Sequence, residues 1–164
     1  RLTGTLPPEV ASLTSLIFLD FASNSITGTI PSSISDVSGN MTTALFEFIA
    51  GDNYLSGPIP PNTGFMTLYL LDLSSNVLTG SLPHQLSHMS LIKSLLLNAN
   101  YFTSFIAEEI FSVMSAYFPD NQLSVIDLSD NQFSGSIPSS LFNLTALNAL
   151  RYYVFVLWLS PADV

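Results

Sequence analysis

An asparagine recurs along this chain at positions 24, 53, 76, 100 and 131, each time inside the same frame of apolar residues. Around Asn24 the frame has Leu13, Leu16, Leu19 and Phe21 before it, then Ile26, Gly28, Ile30, Pro31 and Ile34 after it. Asn76 repeats it with Phe65, Leu68, Leu71 and Leu73, then Leu78, Gly80, Leu82, Pro83 and Leu86. Asn131 repeats it with Leu123, Ile126 and Leu128, then Phe133, Gly135, Ile137, Pro138 and Leu141. Asn53 has a worn copy, and the copy at Asn100 puts Ser104 in the glycine position and Ala107 in the proline position. The chain opens inside a further copy, from Leu2 to Pro7. A fixed period of this kind constrains everything else. Each unit touches only its neighbours, and no single unit can bury its own apolar edge.

The intervals between the asparagines are 29, 23, 24 and 31 residues, so the unit is close to 24 with two insertions. The insertions fall near Asp36–Met41 and near Phe111–Gln122, both after the proline. They are expected to bulge from the outer side of the coil without breaking the stack. Leu19-Asp20-Phe21, Leu71-Asp72-Leu73 and Ile126-Asp127-Leu128 alternate with period two and read as short strands. Stacked copies of them form a parallel sheet with strands ~4.8 Å apart. The asparagine closes the turn after each strand, where its buried amide has to bond backbone groups of its own and the adjacent coil. The glycine supplies backbone freedom, and the proline ends the extended segment.

This repeat accounts for an odd composition. Of the 164 residues 48% are hydrophobic, only 9% are charged, and the mean hydropathy is +0.45. Yet the longest uninterrupted apolar stretch, Tyr152–Leu159, falls far short of the ~20 residues of a membrane-spanning helix. Twelve acids against three Lys and Arg give a net charge of −9, which opposes binding to nucleic acid. Without cysteine there is neither a disulfide framework nor a thiolate metal site.

The frame L-x-x-L-x-x-L-x-L-x-x-N-x-L-x-G-x-I-P, best seen at 13–31, resembles the plant-specific class of extracellular leucine-rich repeats. These occur in receptor-like kinases, receptor-like proteins and polygalacturonase-inhibitor-like proteins. Asn24-Ser-Ile-Thr-Gly-Thr-Ile-Pro31 and Asn131-Gln-Phe-Ser-Gly-Ser-Ile-Pro138 are close to the family consensus. The resemblance runs from Leu2 to about Tyr152. It implies an α/β solenoid, a right-handed superhelix with a parallel β-sheet on its concave face and 3-10 or irregular segments on the convex side. The chain divides as one domain over 1–164: a partial coil 1–12, about five full coils over 13–143, and a degenerate terminal coil 144–164 with Phe155 in the asparagine position. The family's cysteine-paired caps are missing, so the expectation is a fragment of a longer solenoid or an atypically capped short one, with Tyr152–Leu159 either a capping strand or a contact for a region outside this segment. The resemblance further implies an extracellular or cell-surface protein of the secretory pathway. A receptor of this type would carry its membrane span outside this segment.

Exposed strand positions form the concave face. Four residues before each asparagine stand Asp20, Ile49, Asp72, Leu96 and Asp127; six before stand Phe18, Glu47, Leu70, Ser94 and Val125. With Asp52 and Asp130 one before, six of the twelve acids are assigned to this face, and Lys93 alone offsets them. Asp20, Asp72 and Asp127 are also how the family writes its strand. Phe18, Glu47, Tyr69 and Lys93 depart from the consensus and are the sharper candidates for contact with a protein, peptide or glycan ligand. A second ladder, Thr27, Ser56, Thr79, Thr103 and Ser134, lies three residues after the asparagines and admits an alternative reading as an ice-binding surface. A hydrolase inhibitor is a further alternative.

Catalysis has little to work with. His84 and His88 align with exposed convex positions, as does Glu108-Glu109, and nothing marks Glu47 with Asp52 as a general acid–base pair. The expectation is a binding module that is no enzyme and uses neither cofactor nor metal. Two N-glycosylation sequons, Asn40-Met-Thr and Asn143-Leu-Thr, fall in the convex arc.

Overall fold

The coils of Asn24, Asn53, Asn76 and Asn100 are each crossed by two short strands, and stacking turns these into two parallel sheets. The computed structural model describes residues 1–35, 45–61, 67–117 and 122–152. One sheet has six strands: β2 (Phe18–Asp20), β4 (Glu47–Ile49), β6 (Leu70–Asp72), β8 (Ser94–Leu96), β10 (Val125–Asp127) and β11 (Ala149–Arg151), in chain order across the sheet. The other has five: β1 (Thr3–Thr5), β3 (Ser25–Thr29), β5 (Tyr54–Gly57), β7 (Val77–Gly80) and β9 (Tyr101–Phe102). The strands of the first sheet start and end one residue earlier than the alternation suggested. The cross-coil bonding nevertheless continues into the turn, because Phe21, Leu73 and Leu128 still donate to Ile49, Leu96 and Arg151 of the next coil.

The two sheets differ in register. In the six-stranded sheet equivalent residues face each other, as in Phe18 with Glu47 and Leu70 with Ser94. In the five-stranded sheet, which the sequence reading did not foresee, the pairing slips by two residues per coil. Thr27 faces Tyr54, Ser56 faces Val77, and Thr79 faces Tyr101. The hydroxyl ladder therefore does not run straight across the strands.

Between the sheets lies one continuous apolar core. Phe48, Leu71, Leu95 and Ile126 enter it from the first sheet, and Leu55, Leu78 and Phe102 from the second. Short 3-10 turns at Pro8–Ser12, Ser32–Ser35, His84–His88 and Ser139–Asn143 close the outer side. Pro7, Pro83 and Pro138 precede three of them in extended conformations, as a fixed φ allows.

The coil of Asn100 replaces its 3-10 turn with a true helix, α1 (Glu108–Tyr117). The insertion expected to bulge outward near Phe111–Gln122 is instead partly core. Ile110, Phe111 and Met114 are fully buried, and α1 packs against the turns 84–88 and 139–143 on either side. The spacing of these three residues is that of one helical face, and Ala107 removes the proline that starts the other turns. Burying them stabilises the coil by ~1.5–3 kcal/mol each. The other insertion, near Asp36–Met41, lies outside the described residues, as do Asn40 and most of Tyr152–Leu159.

The glycine position is left-handed in every described copy, with φ of 101°, 80°, 76°, 84° and 83° at Gly4, Gly28, Gly57, Gly80 and Gly135. Ser104 adopts the same conformation at φ 71°. A Cβ on Gly57 would stand 3.0 Å from Thr29 Cγ2 of the preceding coil. Ser104→Gly should therefore raise the unfolding free energy by about 0.5–1 kcal/mol, the left-handed strain outweighing the entropy of a glycine. Gly57→Ala should lower it, and urea denaturation of the two variants checks both signs.

Candidate functional site

Three parallel rows of side chains cross the outer face of the six-stranded sheet from coil to coil. The first runs Ile17, Phe46, Tyr69, Lys93 and Ser124, seven residues before each asparagine, and its backbone is tied step by step. Phe46 N donates to Ile17 O, Tyr69 to Phe46, Lys93 to Tyr69, and Ser124 to Lys93, at 2.7–2.9 Å. The side chains follow the same line. The Phe46 and Tyr69 rings stack at 4.8 Å with 17° between planes, and Lys93 Nζ sits 5.3 Å from the Tyr69 centroid. This is a distance at which an ammonium is attracted to the ring face. Tyr69 and Lys93 were singled out by sequence, whereas Phe46 was missed.

The second row is Phe18, Glu47, Leu70, Ser94, Val125 and Ala149. Phe18 is 58% exposed, a large apolar ring facing solvent at one end of the sheet. Glu47 beside it is half-buried.

The third row is Asp20, Ile49, Asp72, Leu96, Asp127 and Arg151. Its acids have local partners. Asp20 Oδ1 accepts from Ala22 N at 3.0 Å. Asp72 Oδ1 accepts from Ser74 N at 2.9 Å and Ser74 Oγ at 2.6 Å. Asp127 Oδ1 does the same with Ser129, at 3.1 and 2.6 Å. Each carboxylate thus braces the turn that follows its strand, leaving its second oxygen for other partners. Asp127 is only 5% exposed, and Arg151 Nη1 lies 3.2 Å from its Oδ2. Arg151 is therefore a second cation on this face, beside Lys93. Asp52 and Asp130 do not join the rows. They sit in left-handed turns at φ 58° and 54°, and line lateral grooves with Tyr54 and Tyr101 respectively.

Beneath the rows lies the asparagine ladder. Asn76 shows the full pattern: its Nδ2 donates to Leu73 O and Ser74 O of its own coil and to Ala50 O of the preceding one, at 3.0–3.2 Å. Its Oδ1 accepts from Leu55 N, also of the preceding coil, at 2.8 Å. Asn53, Asn100 and Asn131 repeat the arrangement, and Asn24 bonds Leu2 N in the first coil.

These geometries belong to a known repeat. The family model described as Leucine Rich Repeat matches residues 15–37, 67–89 and 122–144. The chain carries leucine-rich repeats and is similar to plant proteins built from them. It is 34% identical over 159 residues to Receptor-like protein 35 of Arabidopsis thaliana, covering 85% of this chain and 16% of that one. Among solved structures it is similar to the plant peptide hormone receptor RGFR1 in complex with RGF2, with a TM-score of 0.78 and 29% identity over 91% of this chain and 22% of that one. It is also similar to a plant ice-binding protein, with a TM-score of 0.72 and 33% identity over 85% of this chain and 42% of that one. The leucine-rich-repeat chain thus spans about a sixth of the curated receptor-like relative's length.

The titratable groups set aside by sequence have clear places. His84 and His88 lie in a 3-10 turn, exposed and half-buried respectively. At three residues per turn, a spacing of four does not align two side chains. No group of three or more His, Cys, Asp or Glu side chains converges among the described residues, and no helix there is long and apolar enough to cross a membrane. Glu108 opens α1, and its carboxylate caps the next coil's 3-10 turn, accepting from Ser139 N, Ser139 Oγ and Ser140 N at 2.6–2.9 Å. These bonds, those from Ser140 foremost, lower its pKa from 4.5 to about 2. A cap with a depressed pKa contributes fully above about pH 5 and is lost as pH falls towards 2. The melting temperature of the wild type should therefore fall over that interval more steeply than that of Glu108→Gln, as calorimetry at stepped pH will read.

Proposed function

We propose that this chain is a ligand-recognition segment of an extracellular plant-type leucine-rich-repeat protein, and that a peptide or protein partner lies across the six-stranded, concave sheet. The observation that carries the reading is the in-register row Phe46–Tyr69–Lys93 with exposed Phe18 beside it. The fold needs apolar, asparagine, glycine and proline positions, but it needs no aromatic stack on its outer face. A rigid sheet that presents such side chains preformed loses little entropy on binding. Aromatic side chains give large contact area at low ordering cost, which suits them to anchor a ligand. Glu47, Asp20 and Asp72 set an acidic flank that favours a ligand carrying a basic group. The comparison with RGFR1 bound to RGF2, described as a peptide hormone receptor, supports the same class of ligand. A neutral glycan would leave the carboxylates of Glu47, Asp20 and Asp72 without a charge partner, which favours a peptide or protein over it.

The ice-binding reading draws support from the similar plant ice-binding protein and from the hydroxyls of the five-stranded sheet. Its surface geometry argues the other way. The two-residue slip sets Tyr54, Val77 and Tyr101 beside the Thr and Ser side chains, and Thr27 Oγ1 already donates to Gly4 O at 3.1 Å.

A synthetic peptide array probed with the purified chain tests the first reading. Peptides retained by the wild type should lose at least tenfold in affinity with Phe18→Ala, Tyr69→Ala or Glu47→Lys, and keep it with Glu109→Ala on the opposite side. Retained binding by all three concave variants would contradict it. In parallel, recrystallisation inhibition that disappears when Thr27, Thr79 and Thr103 are made bulky would establish the ice-binding alternative in its place.

A further inference from the structure

Asn143 ends the 3-10 turn Ser139–Asn143 and begins the sequence Asn143-Leu144-Thr145. The local backbone sorts these three residues. Leu144 is buried at 8%, whereas Asn143 and Thr145 are both exposed. The amide and the hydroxyl of the sequon thus face solvent on either side of an inward leucine, so the folded chain has room for a bulky group at Asn143. Next to Asn143 stands Phe142, 73% exposed, and at the end of the helix packed against this turn stands Tyr117, 75% exposed. Phe142 and Tyr117 are the most exposed of the large apolar side chains among the described residues, and they lie on two elements in contact with each other.

We propose that Asn143 carries an N-linked glycan whose first sugars cover Phe142. The proposal rests on the extracellular reading above for access to the modifying machinery. In the transfer, Asn143 Nδ2 forms a bond to the anomeric carbon of an oligosaccharide held on a lipid pyrophosphate. The carbon–oxygen bond to the pyrophosphate breaks, the lipid pyrophosphate leaves with the bonding electrons, and one amide proton passes to a base. Pyranose C–H faces pack well on aromatic rings, and Phe142 is the ring nearest in sequence to the attachment point. The site ends the 3-10 turn, on the side of the coil away from the concave rows, so the glycan leaves them free.

The test is expression of the full chain behind a signal peptide in a human cell line, then mass spectrometry before and after peptide:N-glycanase. Trypsin cuts after Lys93 and Arg151, and the peptide between holds Asn143 as its one sequon. That peptide should show asparagine-to-aspartate conversion, and Asn143→Gln should abolish it. Deglycosylated protein should bind severalfold more apolar dye than the glycosylated form, and Phe142→Ser should remove that gain. An unmodified 94–151 peptide in protein modified at Asn40 would overturn the site. Full occupancy with dye binding unaffected by the glycan or by Phe142→Ser would overturn the cover. Failure of peptide binding on the concave sheet would leave both results unaltered, so the two readings fail separately.

Discussion

The side-chain amide of the repeating asparagine holds each coil to the one before it. Its Nδ2 reaches two carbonyls of its own turn and one of the preceding coil, while its Oδ1 takes a backbone N–H of that preceding coil. These are buried positions, with Asn53, Asn76, Asn100 and Asn131 at 4–6% exposure. Each amide there satisfies groups that would otherwise cost ~1–3 kcal/mol apiece if left orphaned. No other residue offers donor and acceptor in this geometry at this size. The turn that accepts it is tight enough to force the preceding residue left-handed, at Ser23, Asp52, Ser75, Ala99 and Asp130.

From that lock the rest follows. Coils fixed at the turn stack their strands in register on one side, so a row of side chains on the concave sheet is determined by backbone spacing alone. Phe46, Tyr69 and Lys93 can then stack as a line because their Cα atoms are set one strand apart. On the far side the constraint is looser. The pairing slips by two residues, one coil replaces its 3-10 turn with α1, and a carboxylate from one coil caps the next. Varied exposed side chains and tolerance of insertions thus belong to opposite sides of the same coil.

Much of this was legible in the sequence because the asparagine, glycine and leucine positions are frame requirements that each coil has to meet. The parallel concave sheet and the continuous core are read from them directly. Five features were not legible, each for a physical reason. The slip of the second sheet depends on how strands tilt after the turn, and counting residues from the asparagine is blind to tilt. The helical face of Ile110, Phe111 and Met114 lay inside a segment defined only by its excess length. Arg151 escaped notice because its coil has Phe155 where the asparagine would mark the frame, and Phe46 because one more apolar residue does not stand out from the frame as Tyr69 and Lys93 do at the same position. The clamp from Glu108 to Ser139 joins residues 31 apart that no local pattern relates.

The central claim is that the asparagine amide couples neighbouring coils, and native-state hydrogen exchange of Asn76→Ala tests it most directly. The substitution leaves Leu55 N–H of the preceding coil without its partner, while Ala50 O keeps its bond from Asn53 Nδ2 and Leu73 O its bond from Asn100 Nδ2. Global stability should fall by about 1–3 kcal/mol. Exchange should quicken most at Leu55 and its neighbours on both sides of the junction, while amides around Asn131 change only with the global loss. Unchanged exchange at Leu55, with an unaltered unfolding midpoint, would contradict the account.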